Sequence, residues 1–447
     1  MTGRLKTFTL GGIHPEENKF SAHVPIEILP VPKQAVVPMG QNLGAPSKPI
    51  VSRGDQVKVG QLIAEASGFI SANIHSPVSG KVLKIDNILD ASGYKRQGIV
   101  INVEGDEWEE SIDRSDDIVE EITLDAKEII DRVKQMGLVG MGGATFPTNV
   151  KLMPPPGKVA EYLLINGVEC EPYLTSDHRL MLEKGKEILI GTKILMKALN
   201  VTKAVIGIEN NKPDAINHLT ELAKGFEGIE VQPLKVQYPQ GGEKQLIKAV
   251  LNREVPSGKL PIEVGCVVQN VGTTFAVYEA VQKNKPLFER VVTVTGKGIR
   301  KPSNFMARIG TPIGNLIEAA EGLPESTGKI INGGPMMGKA LTSLDIPVVK
   351  GSSGILLMQE NESRRKPESP CIRCSKCTYV CPMGLEPFLL ARVAKIGNFE
   401  MAEKEMVMDC IECGSCQYTC PANIPLLDYL RLGKTMVGAM IRNRKKN

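Results

Sequence analysis

Eight of the ten cysteines fall into two runs near the C-terminus. The first reads CIRCSKCTYVCP and carries Cys371, Cys374, Cys377 and Cys381. The second reads CIECGSCQYTCP and carries Cys410, Cys413, Cys416 and Cys420. Both have the form C-x2-C-x2-C-x3-C-P. Thiolates are soft ligands that suit iron clusters and zinc. Three cysteines at i, i+3 and i+6 can wrap one iron–sulfur cube from a short loop, while the fourth leaves in another direction. Such cubes carry single electrons. Zinc is the competing reading, but its sites pair two C-x2-C units across a longer spacer or mix in histidine, and neither run holds one. Disulfides are the third reading. They call for an oxidising compartment, and the opening stretch MTGRLKTFTLGGIHP has no apolar segment of the secretory kind.

The same run is similar to that of bacterial two-cluster ferredoxins, in which the fourth cysteine of each run ligates the other [4Fe–4S] cluster. That resemblance pairs Cys371, Cys374 and Cys377 with Cys420 on one cube, and Cys410, Cys413 and Cys416 with Cys381 on the other. Pro382 and Pro421 turn the chain away after each run. Between the runs two helices are expected, with Phe388, Leu389, Val393 and Ile396 as the apolar stripe of the first. A helical cluster domain over 361–435 follows.

A second candidate is the loop Gly140-Met-Gly-Gly-Ala-Thr-Phe-Pro147. Clustered glycines let backbone N–H groups approach a phosphate closely. The loop departs from the dinucleotide fingerprint G-x-G-x-x-G, because Thr145 takes the sixth position and a helix precedes it. On spacing alone a flexible turn and a phosphate cradle are equal readings.

Resemblance sharpens this. GMGGATFPTNVK resembles the glycine loop G-x-G-G-A-G-F-P-T-G-x-K of the flavin- and NADH-binding subunit of respiratory complex I. Asn166-Gly-Val-Glu-Cys-Glu-Pro172 resembles its N-A-D-E-G-E-P segment, Gly242-Glu243 its G-E-E turn, and Asn270-Val271 with Thr273 its N-N-V-E-T. The likeness runs over residues 125 to 310 with the segments in the same order. It implies FMN contacts from Gly140, Gly142, Gly143, Lys151, Asn166, Glu243, Asn270 and Thr273. It implies that Glu169 and Glu171 stand near flavin and nicotinamide as the reactive acids. Four positions depart: Val168 replaces Asp, Cys170 replaces Gly, Met141 replaces a frequent Arg, and Lys244 replaces the second Glu of G-E-E.

The elements that must position these residues read as four units. The first unit, 1–110, alternates short β-rich runs over 33–104 with turns such as Gly54-Asp55 and Ser79-Gly80. It resembles the barrel-sandwich hybrid of biotinyl and lipoyl carriers. Ser67-Gly68-Phe69 stands where the modified lysine would be, so a structural or docking role is expected. An acidic linker, 104 to 121, leads to a helix that opens on the capping-box pair Asp125 and Glu128 and ends at Gly137. From 122 to 284 helices and strands alternate: a strand over 162–165, then helix 183–199, strand 204–208, helix 213–222, strand 229–236 and helix 243–251. This is an α/β domain. Residues 285–345 read as a small strand-rich β-grasp (SLBB-like) domain with one helix at 313–320. A proline-bearing linker, 361–370, precedes the cluster domain.

Composition is that of a globular protein: 42% hydrophobic, 23% charged. A net charge of +4 is too small to imply nucleic acid, and one Trp and eight Tyr leave few stacking platforms, so no nucleic-acid partner is expected. No apolar run reaches the length of a membrane helix. Cys170 and Cys266 read as small apolar thiols, His14 and His75 as structural loop residues, and Met336-Met337 as packing. His178, beside Asp177, is a weak site candidate. The basic tail reads as a solvated end, with acidic lipid or an acidic partner as the sharper alternative.

The opening Phe8-Thr-Leu-Gly-Gly-Ile-His-Pro-Glu-Glu-Asn-Lys19 and the four-unit arrangement are similar to the C subunit of the Rnf complex. The resemblance spans the chain. It implies a peripheral subunit on the cytoplasmic side of a bacterial membrane. There it would exchange electrons between NADH or NAD and, through partner subunits, ferredoxin, with coupled ion movement and a translocase-class oxidoreductase activity. FMN and two [4Fe–4S] clusters would be its cofactors. A soluble flavin/iron–sulfur reductase, for instance of a cobalamin enzyme, and a ferredoxin-like wire without flavin remain as alternatives.

Overall fold

The structure, a computed structural model, describes residues 5–90 and 92–444. The N-terminal unit is a pair of small sheets. One runs Gln34–Pro38, Lys95–Val103, Gly80–Leu89, Gln56–Val57; the other runs Lys48–Pro49, Leu62–Glu65, Ile74–His75. Alternating residues of the facing strands, among them Val37, Ile63, Ile99 and Ile101, make its core.

The α/β unit is built on four parallel strands in the order Ile229–Leu234, Ala204–Glu209, Tyr162–Asn166, Cys266–Asn270. The strands are near-continuous apolar runs because helices cover both faces. Leu163 and Ile165 belong to the core under helices Gly185–Leu199 and Val271–Gln282. Leu164 and Val268 belong to the core under helix Glu243–Leu251. The chain steps outward from Tyr162–Asn166 through two strands, then returns to place Cys266–Asn270 on the other side. The strand order therefore reverses between Tyr162–Asn166 and the edge strand Cys266–Asn270.

The capping box is present, with Asp125 accepting from Glu128 N and Glu128 from Asp125 N. The helix expected over 183–199 is Gly185–Leu199, and a further helix, Ser176–Glu183, precedes it. Helix Pro213–Ala223 crosses here so closely that a Cβ on Gly185 would lie 2.9 Å from His218 Nε2 and from Leu222 Cδ1. The turn at Lys184 accommodates that approach.

The small domain reaches beyond 285–345. Its six-stranded sheet runs Ile26–Ile28, Ser303–Arg308, Glu289–Thr295, Gly354–Gln359, Thr327–Asn332, Lys339–Ala340. Gly354–Gln359 fills the centre and is buried along its first four residues, and the N-terminal segment supplies an edge strand in parallel register with Ser303–Arg308. Neither contribution is local in sequence, which is why the boundary shifts.

In the cluster domain the helices between the runs are Pro387–Lys395 and Phe399–Lys404. The last helix, Leu426–Arg444, continues past the expected end at 435. The two runs repeat each other in backbone as well as in cysteines. Arg373 and Glu412, Ser375 and Gly414, and Gly384 and Asn423 occupy equivalent places, and all six have positive φ. A non-glycine residue in that region is uncommon, so its recurrence at matched positions marks a loop shape each run must adopt.

The domains are locked around the glycine loop. Lys350 Nζ, fully buried, donates to Asn73 O (2.7 Å) in the N-terminal unit and to Gly137 O (2.6 Å) at the end of helix Ala126–Gln135. Leu43 N–H donates to Thr145 O at 3.1 Å.

Candidate functional site

Asn166 and Asn270 are register partners at the C-terminal ends of strand Tyr162–Asn166 and the edge strand Cys266–Asn270, where the order reverses. Open α/β sheets receive ligands in that crevice. The glycine loop lies along it, and Met141 N–H donates to Thr273 Oγ1 at 2.9 Å. Asn270 Oδ1 accepts from Gly272 N (2.8 Å) and Thr273 N (3.3 Å), capping helix Val271–Gln282. Its Nδ2 donates to Asp177 Oδ2 at 2.7 Å. A Cβ on Gly142 would lie 2.8 Å from Asn270 Nδ2, whereas one on Gly143 would meet nothing within 4 Å. Gly142 serves the scaffold, and Gly143 borders open space. Gly140 closes the loop, its N–H on Phe146 O at 2.9 Å.

The other wall carries charge. Asn166 Nδ2 donates to Gly241 O at 2.9 Å and so fixes the Gly241–Glu243 turn. Lys151 Nζ donates to Glu243 Oε1 (2.7 Å) and Val268 O (3.1 Å). Helix Glu243–Leu251 begins at Gly242 without a side-chain cap, leaving first-turn N–H groups for an anion. Two buried polar atoms beside these elements, Gln269 Nε2 and Thr148 Oγ1, have no protein partner. Native folds rarely bury such atoms unpaired. A cation, a free helix N-terminus and orphaned polar groups around a glycine-lined crevice fit a phosphorylated, hydroxyl-bearing ligand such as FMN.

The two acids are held by the scaffold. Glu169, at φ 47, accepts from Asp177 N (2.8 Å), His178 N (3.2 Å) and Ser176 Oγ (3.3 Å), so its carboxylate caps helix Ser176–Glu183. Glu171 accepts from Met336 N (3.2 Å) and Met337 N (2.7 Å) of the small domain. Burial raises Glu171 to about 7 against the pull of those two N–H groups. The structure thus gathers Gly140, Gly142, Thr273 and Asn270 on one wall and Asn166, Lys151 and Glu243 on the other. It engages Glu171 with the small-domain loop.

The cysteines form two unequal groups. Cys381, Cys410, Cys413 and Cys416 line one apolar cavity with Leu385, Leu390 and Leu427. Cys416 is pushed up by burial and then by Cys413, Cys410 and Cys381 in turn. Among the described residues no three His, Cys, Asp or Glu side chains converge on a single ion. These four sulfurs instead surround a space, as a cube requires. Leu385 N–H and Glu412 N–H reach Cys381 Sγ and Cys410 Sγ, both at 3.4 Å. Cys377 is raised by burial, and Cys420 beside it adds to the shift. Cys371 and Cys374 are exposed, Cys377 and Cys420 half-buried.

Family comparisons cover the same four units. Residues 6–106 match the RnfC barrel sandwich hybrid domain, 133–279 the Nuo51 FMN-binding domain, 291–340 the SLBB domain and 364–421 the 4Fe-4S dicluster domain. The C subunit of the proton-translocating ferredoxin:NAD(+) oxidoreductase complex of Clostridium ljungdahlii is 48% identical over 96% of this chain and 94% of its own. Its Na(+)-translocating counterpart of Acetobacterium woodii is 43% identical over 97% of each. The chain belongs to the RnfC family of ion-translocating ferredoxin:NAD(+) oxidoreductases. The air-oxidised NAD+-reducing [NiFe]-hydrogenase shares its fold over 70% of this chain and 63% of that chain, with TM-score 0.50 and 16% identity.

In this member of the RnfC family several residues of the site were not singled out from sequence. Asp177 is half-buried and raised to about 7, first by desolvation and then by Glu169. Arg290, from strand Glu289–Thr295, donates to Met141 O at 3.3 Å and also to Lys350 O. Desolvation lowers Arg290 to about 10, and Asp177 opposes the shift. Its signal was an arginine followed by an apolar β-branched run, a cation in a buried strand. Lys19 Nζ donates to Glu169 O, Glu171 O and Leu174 O at 2.8, 2.9 and 2.7 Å, fastening the acidic loop. His178 Nε2 pairs with Asp214 Oδ1 at 2.8 Å, a link between helices. Cys170 Sγ accepts from Gly241 N at 3.3 Å.

Proposed function

We propose that this chain exchanges electrons between NADH and two [4Fe–4S] clusters through FMN, as the peripheral subunit of a membrane ion-translocating complex. The crevice residues would hold FMN, which when bound would supply the exchange between a two-electron hydride donor such as NADH and one-electron cubes. The observation that carries the reading is the Asn166–Asn270 register pair at the reversal of strand order, with Gly143 open beside it.

The chain supplies binding and placement. Lys151 and the free N-terminus of helix Glu243–Leu251 offset phosphate charge. Asn270 and Thr273 hold the glycine loop, and Asn166 holds the facing turn. Cys381, Cys410, Cys413 and Cys416 hold the inner cube. Cys371, Cys374, Cys377 and Cys420 hold the outer one. Ile372, Tyr379 and Tyr418, within the same two cysteine runs, are exposed, which supports a role of the outer group as the face toward other subunits, with ferredoxin reached through them. NADH is met in the cytoplasm, and we place the chain on that side. No helix among the described residues is long and apolar enough to cross a membrane.

Anaerobic reconstitution tests the reading. About eight iron and one FMN per chain are expected, with cube EPR signals after NADH addition. Failure to retain flavin on titration overturns it in favour of a wire without flavin.

A further inference from the structure

The turn that closes the flavin crevice also grips the ligand loops of the inner cube. Tyr238 stands three residues before Gly241. Its hydroxyl is buried and donates to Cys413 O at 2.8 Å. Gln245 stands two residues after Glu243. Its side chain is buried, and Nε2 donates to Pro382 O at 3.2 Å and meets Met383 Sδ at 3.3 Å. One segment therefore holds both cysteine runs: Cys413 from the second, and the residue after Cys381 from the first. Between these grips lie Gly241, bonded to Asn166, and Glu243, bonded to Lys151.

The surroundings fix the segment from behind. Tyr238 and Ile13 exchange two backbone bonds, each 2.9 Å, and Gly12 N–H donates to Val380 O at 3.0 Å. A Cβ on Gly11, which has φ +71, would lie 2.6 Å from Cys381 C and O. At Gly242 a Cβ would lie 2.4 Å from Gln245 Oε1 and 3.2 Å from Pro239 O, so a side chain there would displace the Gln245 amide. The Gly11–Ile13 segment and the inner cysteine loops are thus packed without room for a side chain at Gly11.

We propose that Tyr238 and Gln245 are positioning residues that set the inner cube against the flavin and tune its potential; this rests on the flavin-to-cube reading above. The physical reason is dipolar. The Cys413 and Pro382 carbonyls carry partial negative charge beside the inner cube, and each donor offsets it. An added electron on the cube is easier to accommodate where those dipoles are neutralised. Without the Tyr238 hydroxyl the inner cube becomes harder to reduce, and the outer cube, which neither donor reaches, does not change.

Tyr238→Phe and Gln245→Leu, each in the full chain, test this. Both variants should keep wild-type iron, FMN and the rate of flavin bleaching by NADH. EPR-monitored titration should show the inner cube's potential lowered, with the electron partition moved toward flavin by about tenfold, or about 59 mV for a one-electron couple. The outer cube should hold its wild-type potential as an internal control. Potentials unchanged in both variants overturn the proposal. If Tyr238→Phe loses iron, Gln245→Leu decides alone by the same criterion. Failure of the parent reading shows differently: wild-type protein with reduced flavin and no cube signal.

Discussion

Asn270 and Asp177 are joined by a hydrogen bond of 2.7 Å beneath the glycine loop, and the asparagine simultaneously caps a helix with its other atom. This one side chain links the sheet, the helix Val271–Gln282 and the half-buried Asp177 carboxyl. Replacing Asn270 by Ala removes a cap worth about 1 kcal/mol and leaves Asp177 without its donor, at a further cost of about 1–3 kcal/mol. A loss of stability of about 2–4 kcal/mol in denaturant unfolding is expected from those two effects. A loss below about 0.5 kcal/mol, the range of ordinary surface changes, would show the link to be incidental.

Asp177 also sets a pH dependence. Its pKa in the folded chain is about 7, raised by desolvation and by Glu169, against about 3.9 unfolded. A group whose folded pKa is raised gives its full contribution below the unfolded value and loses it as pH rises through the folded value. Arg290 and Lys212 face the same carboxyl and oppose the shift without reversing it. Asp177→Asn keeps an acceptor for Asn270 and cannot titrate. The melting temperature of the variant relative to wild type should climb by several degrees from pH 4 to pH 8. A constant difference across that range refutes the assignment.

The paired glycines separate scaffold from ligand. Gly142→Ala drives a Cβ into Asn270 Nδ2 and should lower stability by about 1–3 kcal/mol, the usual cost of overpacking. Gly143→Ala meets no protein atom and should leave the melting temperature alone while weakening FMN binding severalfold. Fluorescence titration of FMN beside thermal melts reads both. Undiminished affinity in Gly143→Ala would move the flavin away from this stretch.

Much of this architecture was legible in the sequence where the signal is local. The Asp125–Glu128 capping box, helix Glu243–Leu251 and the presence of two helices between the cysteine runs agree with the sequence reading, but the first of those two helices buries Leu390, Ala391, Val393 and Ala394 and leaves the expected Phe388 and Ile396 exposed. The Cys381 and Cys420 assignments came from the likeness of the repeated run to two-cluster ferredoxins. What sequence did not disclose depends on tertiary approach. Gly354–Gln359 completes a sheet begun by residues far upstream. Asp177 and Arg290 carry their meaning only once burial is known. Glu171 lies in a segment that resembles a nucleotide contact, yet its carboxylate is taken up by Met336 N and Met337 N, from a loop whose sequence carries no sign of it.

Lys151 can be tested by charge. Its amine bridges Glu243 and Val268 O at the free helix N-terminus. Lys151→Met removes a charge-assisted contact worth about 1.5–3 kcal/mol, so FMN affinity should fall by about 10- to 100-fold. Riboflavin, which lacks the phosphate, should bind wild type and variant equally. Equal losses for both ligands would place the lysine at another part of the flavin.

Cross-ligation makes a non-additive forecast. If each cube takes one cysteine from the other run, Cys381→Ala and Cys413→Ala strike the same cube, and Cys377→Ala strikes the other. Each single variant should retain about four of eight iron when anaerobically reconstituted. The pair Cys381→Ala with Cys413→Ala should also retain about four, because the second substitution falls on a site already lost. The pair Cys381→Ala with Cys377→Ala, drawn from one run, should retain almost none. Run-by-run ligation gives the opposite ordering, since Cys381 and Cys377 would then share a cube and Cys413 would not. Iron analysis with EPR on the three single and two double variants separates the two arrangements without any need for NADH or flavin. The burial of the inner group adds a kinetic contrast: the exposed outer cube should be lost first on exposure to air, leaving the signal of the cube held by Cys381, Cys410, Cys413 and Cys416.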